Sequence, residues 1–221
     1  MTQRVLITGA ASGIGLAFVK AYQAQSYEVL ACARLASDEL ISSAAEIIEG
    51  VDITDAASIA LLVSQVNGRS IDILINCAGV LLNETLDDLD FARIQQQWEV
   101  NSLGPLRVTE ALLPCLSRGA KIAMITSRMG SIADNTSGSR YGYRMSKAAL
   151  NAASKSLAED LKPSGIAVAI LHPGLVATKM IGFHGDISPE VAAERLMQRI
   201  TQLNLENTGT FWHSSGEVLP W

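Results

Sequence analysis

A chain of 221 residues is long enough to bury a sizeable core within one domain, and 48% hydrophobic with 18% charged residues is typical of a globular protein. The formal net charge of −5, with no basic stretch to neutralise phosphates, argues against a nucleic-acid partner. No apolar run approaches the roughly 20 residues of a membrane helix, so no membrane association is expected.

Short β-prone runs alternate with segments of helical periodicity along the whole chain. In the first helical segment, Ile14, Ala17, Phe18 and Ala21 fall on one face. In chain order the predicted elements are a strand at 4–7, a helix at 14–25, strands at 28–33 and 45–51, a helix at 56–66, a strand at 71–75, a helix at 91–113, a strand at 121–126, a helix at 146–161, a strand at 166–171, a helix at 189–200 and a strand at 209–213.

This alternation predicts an α/β fold: a doubly wound, Rossmann-type parallel sheet of about seven strands with helices on both faces. No internal repeat, low-complexity tract or linker divides the chain, so residues 1–221 are expected to form a single domain. Ligands bind such sheets at the carboxyl ends of the strands. Two loose stretches after strands, 128–140 and 179–188, are expected to border that site, the second as a short substrate-rim loop.

The amino terminus and the cysteines indicate the compartment. Residues Met-Thr-Gln-Arg enter a strand at once, so no signal peptide is expected. Cys32, Cys77 and Cys115 form no Cys-x-x-Cys pair and lie in apolar stretches. Reduced core thiols in a cytoplasmic protein are therefore predicted.

A glycine-rich turn, Thr8-Gly-Ala-Ala-Ser-Gly-Ile-Gly15, lies directly between the first predicted strand and helix. Gly9 permits a sharp turn, Gly13 lets backbone amides approach a pyrophosphate, and Gly15 lets the helix pack close to the sheet. The helix amino terminus offers unpaired N–H groups and the positive end of its dipole. The turn predicts a dinucleotide site, the alternative being a connector without a ligand. The turn residues expected to bind the cofactor are Gly9, Ser12, Gly13, Ile14 and Gly15.

The second predicted strand ends where such a fold meets the adenosine ribose. An acidic residue there favours a free 2′-hydroxyl, but this strand ends at Ala33 followed by Arg34, without a carboxylate. A guanidinium can pair with a 2′-phosphate, so NADP(H) is preferred, while NAD(H) is not excluded. The alternative is that Arg34 is a solvated surface charge. Asp52, with Ile53 beside it, is predicted to contact the adenine or, alternatively, to be a turn residue.

Tyr143 and Lys147 lie four residues apart where a helix is predicted to begin, and therefore one turn apart on one face. A free tyrosine has a pKa of about 10, and a nearby ammonium favours the phenolate. Lys147 is thus expected to lower the pKa of Tyr143 and make it a proton-transfer group. Tyr141 has Met145 at the corresponding position and lacks this partner. A surface tyrosine and lysine are the alternative.

Two further polar residues are candidates for the same chemistry. Ser127 ends the fifth predicted strand, where its hydroxyl can polarise a carbonyl oxygen or merely satisfy local backbone. Asn101 lies inside a predicted helix, where asparagine is unfavourable. It is expected either to distort the helix and hold a water that links Lys147 to solvent, or to be a structural residue.

Together these motifs resemble the short-chain dehydrogenase/reductase family over nearly the whole chain. The matching motifs, in order, are Thr8–Gly15, Asp52, Asn76-Cys-Ala-Gly79, Asn101, Ser127, Tyr143-x-x-x-Lys147 and His172-Pro-Gly174 with Thr178. Within the family, three segments of this chain resemble the C-factor and sniffer-like carbonyl reductases: Tyr143-Arg-Met-Ser-Lys-Ala-Ala-Leu-Asn151, Met129-Gly-Ser-Ile132 and Leu219-Pro-Trp221.

The resemblance implies a role for each matching residue. The implied catalytic residues are Asn101, Ser127, Tyr143 and Lys147. The residues implied beside the adenosine are Asn76, Ala78 and Gly79, with Asn76 also joining the central strands. The residues implied beside the nicotinamide are Pro173, Gly174, Val176 and Thr178. The implied activity is hydride transfer between NADP(H) and a carbonyl or alcohol carbon of a small molecule, by a homodimer or homotetramer.

Departures from the family pattern limit what is carried over. The stretch after Gly174 is short and the interval from Ser127 to Tyr143 is long, so the substrate is not inferred. A non-catalytic NADP(H)-binding regulatory or signalling protein and a ligand-free interaction protein are the rival functions; the complete catalytic set favours an enzyme. His172, His184 and His213 are widely separated in sequence, and no metal site is expected.

Overall fold

The computed structural model describes residues 2–221, so only Met1 of the predicted domain lies outside it. Seven strands form one sheet in which every neighbouring pair is parallel, in the order β3-β2-β1-β4-β5-β6-β7. The strands are β1 Arg4–Thr8, β2 Glu28–Ala33, β3 Glu46–Glu49, β4 Ile71–Asn76, β5 Leu116–Ile125, β6 Ala167–His172 and β7 Phe211–His213. The predicted doubly wound Rossmann-type fold is confirmed.

Helices cover both faces of the sheet and bury two cores. They are α1 Gly13–Ala24, α2 Asp38–Ile41, α3 Ala56–Val66, α4 Phe91–Trp98, α5 Gly104–Leu112, α6 Tyr141–Leu161 and α7 Pro189–Gln202. On β1, Val5 and Ile7 face the core that α1 and α7 cover, whereas Leu6 faces the core under α3, α5 and α6. Because all the strands are parallel, their carboxyl ends lie at the same edge of the sheet, and this edge carries the site.

The predicted long helix at 91–113 is wrong as a single element. α4 is followed by a π-helical turn at Glu99–Leu103 and then by α5, and a 3₁₀ turn at Leu113–Cys115 closes the segment. Asn101 lies in the π turn, so the expected distortion occurs at that residue. Pro105 lies in the first turn of α5, where a missing N–H costs little.

Other boundaries shift by a few residues. α6 begins at Tyr141, five residues before the predicted start at 146, so Tyr143 and Lys147 both lie inside the helix. α2 was not predicted; Ser37 caps it by accepting a hydrogen bond from the Leu40 N–H. Among the helices of residues 2–221, none combines the length and the apolar character needed to cross a membrane.

Candidate active site

A cleft of about 1030 Å³ runs along the carboxyl edge of the sheet. The glycine-rich turn and Arg34 border it at one end, and Tyr143 and Lys147 border it at the other. The predicted site residues that line the cleft are Gly9, Ser12, Gly13, Ile14, Gly15, Arg34, Asp52, Ile53, Ala78, Gly79, Tyr143, Lys147, Pro173 and Thr178. Residues from both ends of the chain therefore converge on one elongated cavity.

The glycine turn has the geometry of a phosphate cradle. Gly9 has φ +70°, and a Cβ there would lie 2.7 Å from the Ala78 Cα. A Cβ on Gly15 would overlap the carbonyl oxygen of Gly9. The Ser12 side chain makes no capping hydrogen bond at the start of α1, so the first N–H groups of the helix are left for a ligand.

The carboxyl ends of β2 and β3 form the predicted adenosine corner. Arg34 borders the cleft, and within residues 2–221 no carboxylate forms an ion pair with it. Glu49 is the β3 partner of Ala33, which places a carboxylate near this corner that the sequence did not reveal. Its Oε1 already accepts a hydrogen bond of 2.7 Å from the Ala36 N–H.

The Asp52 carboxylate already accepts two hydrogen bonds from within the protein. Its Oδ1 accepts hydrogen bonds from the Thr54 N–H at 2.9 Å and the Thr54 hydroxyl at 2.7 Å. These bonds, assisted by the charge of Arg34, hold the pKa of Asp52 below its usual value. The carboxylate is therefore ionised at neutral pH and can accept a further hydrogen bond.

Five predicted site residues do not themselves line the cleft: Asn76, Asn101, Ser127, Gly174 and Val176. The amide nitrogen of Asn76 donates to the Thr109 hydroxyl at 3.1 Å and to the Met124 sulfur, so this side chain ties β4 to α5 and β5. Val176 forms a bridge with Ile187. The structure thus supports the joining role expected for Asn76.

Tyr143 and Lys147 are stacked one turn apart on α6. The Lys147 ammonium lies 5.8 Å from the centre of the Tyr143 ring and donates a hydrogen bond of 2.9 Å to the Ile125 carbonyl at the end of β5. Both side chains are buried. The lysine is therefore held between the tyrosine and the central strand.

The prediction that the pKa of Tyr143 is lowered is wrong. Burial raises the pKa of Tyr143, while a hydrogen bond with Ser127 and the positive charge of Arg140 act in the opposite direction with less effect. Lys147 lies over the ring rather than at the hydroxyl, which weakens its influence on ionisation. The phenol stays protonated at neutral pH.

Burial also changes Lys147. It lowers the pKa of Lys147 to about 8, because the ammonium is removed from water. The lysine remains mainly charged at neutral pH but is close to titration. Perturbed ionisable groups facing a cleft are a mark of functional sites.

The Asn101 side chain is fully engaged within the protein. Its Oδ1 accepts from the Val80 N–H at 2.8 Å, and its Nδ2 donates to the Val80 carbonyl at 2.8 Å and the Ser146 hydroxyl at 3.0 Å. A water held by this residue would therefore have to use its backbone or the second lone pair of Oδ1. The observed role is to join the segment after β4 to α6.

Ser127 lies two residues after the end of β5, close to its expected place at the strand end. Its Oγ accepts a hydrogen bond of 3.1 Å from the Met129 N–H and lies beside the Tyr143 phenol. Because Met129 uses the oxygen as an acceptor, the hydroxyl hydrogen remains available to donate.

The three histidines are not all isolated in space. Parallel pairing of β6 with β7 places His172 opposite His213, and their ring centres are 5.1 Å apart. Burial and the neighbouring histidine lower the pKa of His172 to about 3, so it is neutral. Within residues 2–221, no three potential ligand side chains are grouped as a metal site.

Sequence reasoning missed several residues of the cleft and its frame. The residues that line the cleft without having been predicted include Leu35, Cys77, Val100 and Phe183. Burial raises the pKa of Cys77 to about 12, so it is a thiol rather than a reactive thiolate. Leu35 and Cys77 could have been found by treating every residue after a strand as a candidate. The buried polar pair Glu84 and Gln97 carried no recognisable motif.

Comparison with known proteins identifies the relatives of this chain. The sequence profile described as short chain dehydrogenase matches residues 3–202. The 1-hydroxy-2-glutathionyl-2-methyl-3-butene dehydrogenase of Rhodococcus sp. (strain AD45) is 38% identical over 223 residues, which span 98% of this chain and 99% of that protein. The C-signal protein of Myxococcus xanthus is 46% identical over 154 residues, which span 68% of this chain and 93% of that protein.

Solved structures with the same fold include carbonyl reductases. The NADPH-bound carbonyl reductase from chicken fatty liver superposes with a TM-score of 0.89 at 30% identity, covering 100% of this chain and 99% of that one. The carbonyl reductase Sniffer of D. melanogaster has a TM-score of 0.92 at 28% identity, with both chains covered completely. The resemblance to the C-factor and sniffer-like subgroup is confirmed.

The burial of Lys147 predicts a pH-dependent cost to stability. Below a pH of about 8 the lysine is charged in both states, and the folded state bears the full cost of burying the ammonium. Between about 8 and 10.5 the unfolded chain holds the proton more tightly, so this cost disappears as the pH rises. Lys147→Met should therefore be more stable than wild type at pH 7, by at most on the order of 3 kcal/mol.

Urea unfolding at several pH values measures this difference. The unpaired Ile125 carbonyl will reduce the gain, but the gap between variant and wild type should shrink from pH 7 to pH 10. Lys155→Met, which removes an exposed lysine from the same helix, controls for the loss of a lysine. A gap for Lys147→Met that stays constant over this range would contradict the assigned cost.

Proposed function

The chain belongs to the short-chain dehydrogenase family, and on that premise we propose that it is an NADP(H)-dependent oxidoreductase acting on a carbonyl or alcohol carbon. One observation carries the proposal: Tyr143 and Lys147 line the same cleft as the glycine turn, and Ser127 lies beside the Tyr143 phenol. A protein that only binds a dinucleotide needs the turn, but has no use for a buried tyrosine and lysine at the far end.

The chain's own residues fit a dinucleotide. A Cβ on Gly9 would clash with the Ala78 backbone and one on Gly15 with the Gly9 carbonyl, so this closely packed turn requires glycine, and the free N–H groups at the start of α1 suit a pyrophosphate. The unpaired Arg34 suits a 2′-phosphate. The proposed cofactor is therefore NADP(H), which the chicken carbonyl reductase structure contains as NADPH; NAD(H) remains the alternative.

When bound, the nicotinamide supplies or accepts the hydride. In the reductive direction Ser127 and Tyr143 donate hydrogen bonds to the substrate carbonyl oxygen, which polarises the carbon. Tyr143 then gives its proton to the oxygen as the alcohol forms. The raised pKa of Tyr143 suits this role, because the phenol must be protonated to act as the acid. Lys147 is proposed to orient the nicotinamide ribose and to restore the proton.

The substrate is proposed to be a small molecule that enters beside the 179–188 segment. This segment contains the 3₁₀ turn Lys179–Ile181, and Ile187 bonds back to the stretch after β6. Met180 and Phe183 present apolar side chains to the cleft. The Rhodococcus relative is named as a dehydrogenase of a glutathionyl alcohol, so an alcohol is as plausible a substrate as a carbonyl.

A regulatory or signalling protein is the second candidate function. The identity with the C-signal protein over 68% of this chain favours it. Against a purely regulatory role stands the complete set of Asn101, Ser127, Tyr143 and Lys147. A purified protein that binds NADPH tightly and oxidises none of a panel of aldehydes, ketones and quinones would favour regulation.

The compartment is proposed from the cysteines, and the oligomeric state from the family resemblance. Three free cysteines, two of them buried, fit a reducing cytoplasm. A homodimer or homotetramer is proposed from the family resemblance, with α4, α5 and α6 as the packing helices. Neither expectation bears on the chemistry proposed for the cleft.

Tyr143→Phe tests the proton-transfer role. Removing one hydroxyl should lower turnover by roughly 100-fold or more, because general acid catalysis contributes about that much. The Kd for NADPH, measured by fluorescence titration, should stay within about threefold of wild type, since the ring and the cavity are retained. Tyr141→Phe, two residues away on the same helix, is the matched control and should keep turnover. Wild-type turnover by Tyr143→Phe would refute the mechanism.

Arg34→Ala tests the cofactor preference. Loss of a charge-assisted contact should weaken NADPH binding by about 10- to 100-fold, whereas NADH, which has no 2′-phosphate, should bind almost unchanged. Arg118→Ala, which removes a guanidinium near the start of β5, controls for the change in net charge. Equal losses for both cofactors, or for neither, would remove the argument for NADP(H).

A further inference from the structure

A buried carboxyl group lies at the amino-terminal end of α6. Glu84, in the segment between β4 and α4, is 1% exposed. Its Oε2 accepts a hydrogen bond of 3.2 Å from the Gly142 N–H, and its backbone carbonyl accepts one of 2.7 Å from the Arg140 N–H. Glu84 thus accepts hydrogen bonds from two backbone N–H groups, two residues apart, at the point where the helix begins.

Gln97 of α4 fixes the direction of this carboxyl group. Its Nε2 donates to Glu84 Oε1, and its Oε1 accepts a hydrogen bond of 2.9 Å from the Leu82 N–H. The backbone N–H groups of Leu82 and Gly142 can only donate. Gln97 must therefore turn its oxygen toward Leu82 and its NH₂ group toward Glu84, and Glu84 must offer an oxygen to each of Gln97 and Gly142. A carboxylate at position 84 and an amide at position 97 satisfy all three bonds at once.

This pair replaces a cap that the neighbouring sequence does not provide. Arg140, at the N-cap position of α6, has φ +55° and makes no side-chain capping bond. The Glu84 carboxylate serves that purpose from a distant part of the chain, where it also meets the positive end of the helix dipole. Without it, the first turn of α6 would lose its end support.

Tyr143 lies between two such attachments. On one side is Gly142, held by Glu84; on the other is Ser146, whose hydroxyl accepts from Asn101 and whose carbonyl accepts a 2.7 Å bond from the Ser102 hydroxyl. The backbone also has little room to move, because a Cβ on Gly142 would lie 2.9 Å from the Ile94 Cα. The direction of the Tyr143 side chain therefore depends on both attachments.

We propose that Glu84, oriented by Gln97, is a positioning residue that holds the first turn of α6 and so aims the Tyr143 phenol at Ser127. This inference rests on the proposed oxidoreductase function for its meaning. Glu84 touches neither the cleft nor the reacting atoms, and it acts only through the α6 backbone.

Glu84→Gln removes one bond without removing volume. To accept from the Gly142 N–H, the new amide must turn its NH₂ group toward the NH₂ group of Gln97, which places two donors together. Rotating the Gln97 amide would remove that clash but would place its NH₂ group against the Leu82 N–H, which is also a donor. The turn should loosen, and kcat should fall about 10-fold or more, since small displacements of a catalytic group are costly. The KM and Kd for NADPH should stay within about twofold, because the cradle lies on other elements.

The double variant Glu84→Gln/Gln97→Glu provides the decisive comparison. Its carboxylate at 97 accepts from Leu82 and from the new amide at 84, whose oxygen accepts from Gly142, so all three bonds return. Only the 3.3 Å contact of Gln97 Nε2 with the Arg93 carbonyl is lost. We expect kcat within about threefold of wild type. Glu159→Gln, which alters an exposed carboxylate on the same helix, should leave kcat unchanged.

Amide hydrogen exchange supplies a readout that does not depend on turnover. The peptide covering 141–146 should exchange faster in Glu84→Gln, return to wild-type rates in the double variant, and leave residues 155–161 unaffected. A wild-type protein without turnover on any substrate would defeat the proposed function, while exchange would still decide the positioning role. Unchanged kcat and exchange in Glu84→Gln, or a double variant as impaired as the single one, would overturn the proposal.

Discussion

The site depends on how closely the surrounding backbone approaches α6. At Gly130 an added Cβ would lie 2.7 Å from the Lys147 carbonyl carbon. At Gly142 the neighbouring helix α4 is equally near. Because these contacts leave no space for side chains, α6 is held from several directions. A long helix thereby places Tyr143 and Lys147 in the cleft with little freedom.

That placement has an energetic cost, which is the usual condition of an active site. The Lys147 ammonium is taken out of water and receives in return the Ile125 carbonyl and the face of the Tyr143 ring. Tyr143 is buried enough that its pKa rises despite Ser127 and Arg140. A fold built only for stability would place apolar side chains at both positions. The hydrophobic burial in the two cores, one on each face of the sheet, offsets this cost.

The two ends of the cleft are built by different physical means. At the glycine turn the ligand groups are backbone amides, so the sequence requirement is for small residues and a helix start. At the catalytic end the groups are side chains, so their directions depend on packing and on polar contacts such as that of Asn101 with Ser146. The parallel strands join the two ends, because each strand delivers its following residues to the same edge.

The amino-acid sequence by itself determined the alternation of strands and helices, the glycine turn and the spacing of Tyr143 and Lys147, since each depends on local periodicity. Only the tertiary structure decided the π turn around Asn101, the pairing of His172 with His213 and the end support from Glu84. It also decided that burial outweighs charge at Tyr143. These features depend on contacts between residues far apart in the chain, whose distances no local pattern encodes.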